Sequence, residues 1–416
     1  MPAKRDKWLV VALLFFVGIV NYADRTSITA VYTLLKTDLG FSDVGLGAIG
    51  SFFLWSYAIA SPIAGHIGDR TNRARAVTWS LAVWSLVTLL TALVTAKWQL
   101  LSMRVLLGVA ESMYLPAAMA LVAEYHTSGT RAKALSLLSI GQYLGMVVGA
   151  TLAGFLGDRY GWRSPLCVLG IAGILLAIVC FAILPRGIAR EVETTPDVSF
   201  LAATRSLARI PSFLILASAG ILSAIGAWIF INWLPLYFRE NFGMTLTSAA
   251  FFGSSLVSVT AAVSQVAGGA VSDVLAKKGL HRRMLMQAVL ILCAAPTLLT
   301  FVFTKNRIAI MAALVLYAAF RNAGDLNIIP LLCDLAGKNR MSIAIGVTNM
   351  LNTLAGGIGI LATGFLKSGF GLAAVFASVA GILLLDALLL FAGYFLFLRK
   401  DLSHEPIQLG SARSRS

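Results

Sequence analysis

Seven ionisable residues fall inside long apolar stretches of this 416-residue chain: Asp24, Arg25, Arg104, Glu111, Arg321, Asp325 and Asp386. An ionisable group at the centre of a membrane helix costs about 2.5–3.5 kcal/mol even on insertion scales, so each must face water, a partner or a bound molecule. Asp24 and Arg25 are adjacent, point ~100° apart on a helix and cannot pair ideally with each other. Each is available to another helix. The planar five-donor fork of Arg25 suits a carboxylate, either of a bound anion or of an acidic neighbour. Arg104 and Glu111 are separated by ~10.5 Å of rise and lie within ~20° of one helix face. Gly108 between them is expected to keep that face open. A carboxyl whose protonation follows a movable Arg suits proton carriage; a fixed interhelical ion pair is the structural alternative. Arg321 and Asp325, at i and i+4, can pair on one helix, as a structural pair or as a gate. Asp386 reads as a polar group for helix packing, with no function assigned.

The composition says what must hold these groups. Apolar residues make up 58% of the chain, charged residues 12%, and mean hydropathy is +0.85, against ~25% charged in soluble domains. A soluble enzyme, a disordered chain and a collagen-like chain are excluded, and an all-α integral membrane protein remains. The net charge of +15 lacks the basic stripe and interleaved aromatics of a nucleic-acid surface. Cys167, Cys180, Cys293 and Cys333 have no CxxC spacing, so neither a disulfide framework nor a zinc site is indicated. Neither HExxH nor Gly-x-Ser-x-Gly occurs, which argues against a membrane enzyme.

Twelve stretches approach the ~20 residues a bilayer requires: about 8–35, 44–68, 74–96, 98–123, 132–157, 164–184, 212–238, 246–274, 283–304, 308–334, 341–366 and 371–398. They divide into a first six-helix bundle over 1–184, a cytoplasmic linker over 185–211, a second bundle over 212–400 and a cytoplasmic tail over 401–416. With both termini inside, inner segments carry 22 Lys/Arg and outer loops 8, which satisfies the positive-inside rule. The halves repeat one another. Gly65-His66-Ile67-Gly68-Asp69 matches Gly269-Ala270-Val271-Ser272-Asp273, and Gly154-Phe155-Leu156 matches Gly364-Phe365-Leu366. Parallel repeats of this kind are a transporter architecture.

Gly65-x-x-x-Asp69-Arg70-x-Asn72-Arg73, Arg104-x-x-x-Gly108 and Gly161-Trp162-Arg163 resemble the marks of the major facilitator superfamily. More narrowly, Asn21-Tyr22-x-Asp24-Arg25 with Arg104-x-Leu106-Leu107-Gly108-x-x-Glu111-x-x-x-x-Pro116 resembles the anion:cation symporter family. That resemblance implies that Arg25 holds a substrate carboxylate, that Asp24 and Glu111 carry protons, and that Arg104 gates Glu111. Asp69-Arg70-x-Asn72-Arg73, the Asn-Tyr-x-Asp-Arg motif and Glu111-Ser112-x-Tyr114 are also similar to the Spinster family of lipid and lysolipid exporters. Pro116 and Gly161-Trp162-Arg163 favour the anion symporters; a Spinster-like lipid transporter or another facilitator exporter is the alternative.

The expected function is proton-coupled symport of a small organic anion, such as a sugar acid, in a bacterial inner membrane. The resemblance implies a monomer in the lipid bilayer, with no cofactor and no nucleic-acid partner. The paired charges favour protons over sodium as the coupling ion, with sodium left open. Tyr22, Gln142, Asn232, Tyr237, Asn349 and Asn352 are expected to help bind substrate, since sites that read hydroxyls use amides and phenols; bonding between helices is the other use of Asn232, Asn349 and Asn352. Asp69, Arg70 and Arg73 are expected to form a cytoplasmic latch, mirrored by Asp273 with Arg282 and Arg283. Gly141, Gly145 and Gly149 recur every four residues and should admit a neighbouring backbone.

Overall fold

The computed structural model describes residues 4–184, 200–337, 340–398 and 401. Most of the expected linker before residue 200, and the tail beyond residue 401, lie outside the described residues. Among the described residues, eleven helices are long and apolar enough to cross a membrane: Lys7–Ala30, Asp43–Gly65, Arg73–Thr91, Lys97–Tyr125, Gly129–Tyr160, Arg163–Ile183, Pro211–Phe242, Leu246–Lys277, Arg282–Phe303, Arg307–Ala336 and Met341–Leu398. The last, of 58 residues, would measure ~87 Å at 1.5 Å per residue, far beyond the ~30 Å of a hydrocarbon core. Gly371 interrupts it at φ 74 and ψ 161, a conformation that a side chain would oppose. It is therefore two spans, so the described residues provide twelve, and the chain is a multi-pass membrane protein.

The fourth and tenth spans are each broken at the same kind of place. One helix ends at Glu111 and its continuation begins at Tyr114; another ends at Asp325 and resumes at Ile328. Pro116 and Pro330 each occupy the third position of the resumed helix. A missing N–H costs nothing there, because first-turn donors have no partner within the helix. Glu111-x-x-x-x-Pro116 and Asp325-x-x-x-x-Pro330 thus form a repeat that shows up clearly only once the helix breaks are known.

The chain separates into two compact units. One comprises Met1–Thr194, Ala227–Ala262 and Thr353–Phe376; the other comprises Thr195–Gly226, Val263–Asn352 and Ala377–Ser416.

In the first unit, the fifth span packs closely on the first. A Cβ at Gly141 would stand 2.8 Å from the Phe15 carbonyl oxygen, and Cβ atoms at Gly145 and Gly149 would overlap the backbone of Ile19 and Ala23. The glycine repeat therefore fixes the register of the turn that carries Asp24 and Arg25. Gly108 departs from expectation. Its missing side chain does not open a cavity: a Cβ would overlap Ser56 and the Phe53 carbonyl, so the space is taken by the second span. Gly161, at φ 81, turns the chain so that Trp162 Nε1 donates to Asp38 Oδ2 at 2.7 Å and Arg163 Nη1 donates to the same oxygen at 2.6 Å. The Gly-Trp-Arg motif thus ties the fifth-to-sixth turn to the segment after the first span. Hydrogen bonds from Trp162 and then Arg163 hold the Asp38 carboxyl below its usual pKa.

In the second unit, Asn306 Oδ1 accepts from the backbone N–H groups of Ile308 and Ala309 and starts the tenth span. Arg283 Nη2 donates to Asp273 Oδ1 at 3.1 Å. The four cysteines are free thiols.

Candidate functional site

The first-span turn held by Gly149 presents Asp24 and Arg25 to different neighbours, as their ~100° separation requires. Arg25 Nε donates to Glu111 Oε2 at 2.7 Å; the Arg25 side chain is 9% exposed and that of Glu111 is fully buried. The guanidinium carbon lies 4.8 Å from the ring centroid of Tyr22, 5.1 Å from Phe53 and 4.8 Å from Tyr57. Three ring faces and one carboxylate therefore surround the cation, and contacts of this kind strengthen when water is excluded. Asp24 is buried, accepts from Thr88 Oγ1 at 3.3 Å through Oδ2, and has no hydrogen-bond partner for Oδ1 among the described residues.

The spacing of Arg104 and Glu111 suggested that these two would pair. Glu111 instead takes Arg25, the arrangement in which Arg25 neutralises an acid on a neighbouring helix. A rise of ~10.5 Å is too long a reach when an arginine from the first span already lies against the carboxylate. Arg104 is buried, with Nε and Nη2 lacking partners among the described residues. Arg25, Arg104 and Asn232 line one cavity of about 20 Å³ with Ile28, Ile49 and Phe53 among its other walls. That is room for about one water. Asn232 is oriented on both sides: Oδ1 accepts from Tyr32 at 3.4 Å, and Nδ2 donates to the Trp228 carbonyl at 2.9 Å. Two Arg104 nitrogens without partners among the described residues thus stand in the same cavity wall as Arg25.

The other candidates lie elsewhere. Gln142 is half-buried near Gly18. Tyr237 packs among Phe238, Phe242 and Phe376 and does not line the Arg25 cavity. In the second unit, Asn349 is exposed, and Asn352 is half-buried against Gly220 with Oδ1 unpartnered among the described residues. Arg321 Nη2 and Asp325 Oδ2 form the i, i+4 pair at 2.9 Å. Of the latch, Arg73 reaches Glu124 at 3.5 Å, while the side chains of Asp69 and Arg70 lie outside the described residues. Asp386 is buried, and neither carboxyl oxygen has a hydrogen-bond partner among the described residues.

Sequence reasoning did not single out Phe53, Tyr57 or Thr88. The i, i+4 aromatics of the second span were a usable signal, since that spacing puts both rings on one face. It also missed a charge cluster at one end of the first unit. Lys367 Nζ lies 2.8 Å from both Asp43 and Glu240, and Lys36 Nζ lies 2.8 Å from Asp43. Partial burial works against the Lys36 charge, but Asp43, followed by Glu240, outweighs it and raises the Lys36 pKa.

The sequence profile of the Major Facilitator Superfamily matches residues 14–360. The chain is 29% identical over 303 residues to the probable galactarate/D-glucarate transporter GudP of Bacillus subtilis (strain 168), a match covering 66% of each chain. It is 25% identical over 422 residues to the probable galactarate/D-glucarate transporter GarP of Escherichia coli (strain K12), covering 93% of this chain and 95% of that protein. Among solved structures, a bacterial homologue of the human lysosomal transporter Spinster, inward-facing and unoccupied, superposes with a TM-score of 0.79 at 21% identity, over 98% of this chain and 100% of that one. This last similarity is one of fold.

Proposed function

Because the chain belongs to the Major Facilitator Superfamily, we propose that this transporter carries an organic anion, a sugar acid or related carboxylate, together with protons by alternating access. The observation that carries the proposal is the buried Arg25–Glu111 contact at 2.7 Å. A buried guanidinium stripped of its carboxylate costs about 3–5 kcal/mol, so Arg25 exchanges one carboxylate for another and is not left bare. When Glu111 takes a proton, Arg25 is released to the substrate carboxylate; when the proton leaves, Glu111 reclaims it. Substrate and proton therefore bind favourably together, which is the requirement for symport. Tyr22, Phe53 and Tyr57 keep the cation in place during the exchange. Arg104 and Asn232, lining the same cavity, supply further donors to a polyhydroxy acid, and Asp24 is a second proton carrier. The bacterial relatives, named probable galactarate/D-glucarate transporters, support the same substrate class. The proposed setting is a bacterial inner membrane with both termini cytoplasmic.

The Asn21-Tyr22-x-Asp24-Arg25 motif is common to both resemblances, and Glu111-Ser112-x-Tyr114 resembles the Spinster family, which supports a second reading, a Spinster-like lipid or lysolipid transporter. The two are separated by uptake of labelled glucarate into proteoliposomes under an inward proton gradient. Accumulation that a protonophore and Arg25→Ala both abolish, and that lysolipid does not compete away, supports the anion symporter. Lysolipid transport without acid uptake would move the assignment to the second reading.

A further inference from the structure

The second unit holds its own half-buried acid–base cluster, which the anion and proton sites above do not use. Ser223 of the seventh span donates through Oγ to Asp325 Oδ2 and accepts from Arg321 Nε at 2.9 Å. Arg321 Nη2 also reaches the Ser223 carbonyl at 3.3 Å. Asp325 closes the first part of the broken tenth span as Glu111 closes that of the fourth, each five residues before a proline. In one half a first-span side chain, Arg25, engages the acid at the break. In the other half the side chain comes from the seventh span, and it is the neutral Ser223.

Asp386 lies on the last span, within electrostatic reach of Asp325 and Arg321 of the tenth span. The seventh and ninth spans pack on the last span through Gly226 against Val379 and Gly393 against Met284. Arg321 is committed to Asp325 at 2.9 Å. Asp386 is 0% exposed, with both oxygens unpartnered among the described residues, as is Asp325 Oδ1. A buried carboxylate with neither donor nor cation is not tolerated in a membrane interior. One proton closes the charge balance of the cluster.

We propose that Asp386 is a further proton-binding site of this transporter, in addition to Glu111 and Asp24. The site goes beyond the anion-symport reading and rests on proton coupling only for its transport readout.

The test uses the purified full-length protein. Infrared spectra of wild type should contain a protonated carboxyl stretch that Asp386→Asn removes and Asp386→Glu shifts. Asp386→Asn, a neutral isostere of the protonated acid, should fold and melt like wild type. In proteoliposomes it should transport with one proton fewer per substrate. The proposal is overturned if the band survives Asp386→Asn, if that variant fails to fold, or if its proton ratio equals that of wild type. It is equally overturned if sodium ions remove the wild-type band, which would make this a metal-cation site. Should wild type move substrate without protons, the symport reading fails, and the infrared bands alone still decide whether Asp386 holds a proton.

Discussion

Arg25 and Glu111 lie 86 residues apart in the chain and meet at 2.7 Å, the carboxylate fully buried and the guanidinium enclosed by three aromatic rings. Neither group can be left alone cheaply, since breaking a buried pair by removing one member costs about 3–5 kcal/mol. That cost links the protonation of Glu111 to the arrival of an anion at Arg25.

Glu111→Gln should therefore separate binding from coupling. The variant keeps an acceptor near Arg25 but cannot exchange a proton. Counterflow of labelled glucarate between equal pools is expected to persist, while accumulation against a gradient is lost. Normal accumulation by Glu111→Gln would end the proton role.

The close approach of the first and fifth spans should be sensitive to a single methyl. Gly149→Ala is expected to destabilise the protein by about 1–3 kcal/mol through overpacking against Ala23. Gly269→Ala, with nothing within 4 Å of the added Cβ, should be neutral. Melting of the two variants in one detergent measures the difference.

Asp38 gives a pH-dependent contribution whose sign is fixed. Its folded pKa is lowered by hydrogen bonds from Trp162 and Arg163. Its stabilisation is therefore full above the unfolded value of about 3.9 and lost as pH falls through the lower folded value. The carboxylate is half exposed, so the effect should be under about 1 kcal/mol. Wild type should melt slightly above Asp38→Asn at neutral pH, and the gap should close in acid.

The Lys367 cluster should guard the interior of the first unit. Ser51 is buried and donates to the Gly357 carbonyl at 2.7 Å. A cysteine at that position is expected to resist a membrane-impermeant maleimide and to react several-fold faster when Lys367→Ala removes the cation between Asp43 and Glu240. Equal labelling rates would show that the cluster does not hold this region closed.

Helix number and the charged residues of the spans were legible because the bilayer imposes length and hydropathy, and because a charge within an apolar run has few innocuous explanations. Gly141, Gly145 and Gly149 were legible for the same reason: only close packing explains that period. The pairing of the charges was not. One-dimensional spacing relates Arg104 to Glu111, whereas the crossing of two helices delivers Arg25 to that carboxylate. Gly108 was misjudged likewise, since a missing side chain makes room for either a cavity or another backbone. Asp386 is buried as a packing residue would be, and only the absence of a donor at its carboxyl group distinguishes it.

The most direct test of the coupling between Arg25 and Glu111 is the external pH of de-energised proteoliposomes as glucarate is added. Wild type should alkalinise the medium in step with uptake, and Glu111→Gln should take part in exchange with no pH change. Uptake by wild type with no alkalinisation, or an undiminished proton signal in Glu111→Gln, would contradict the account.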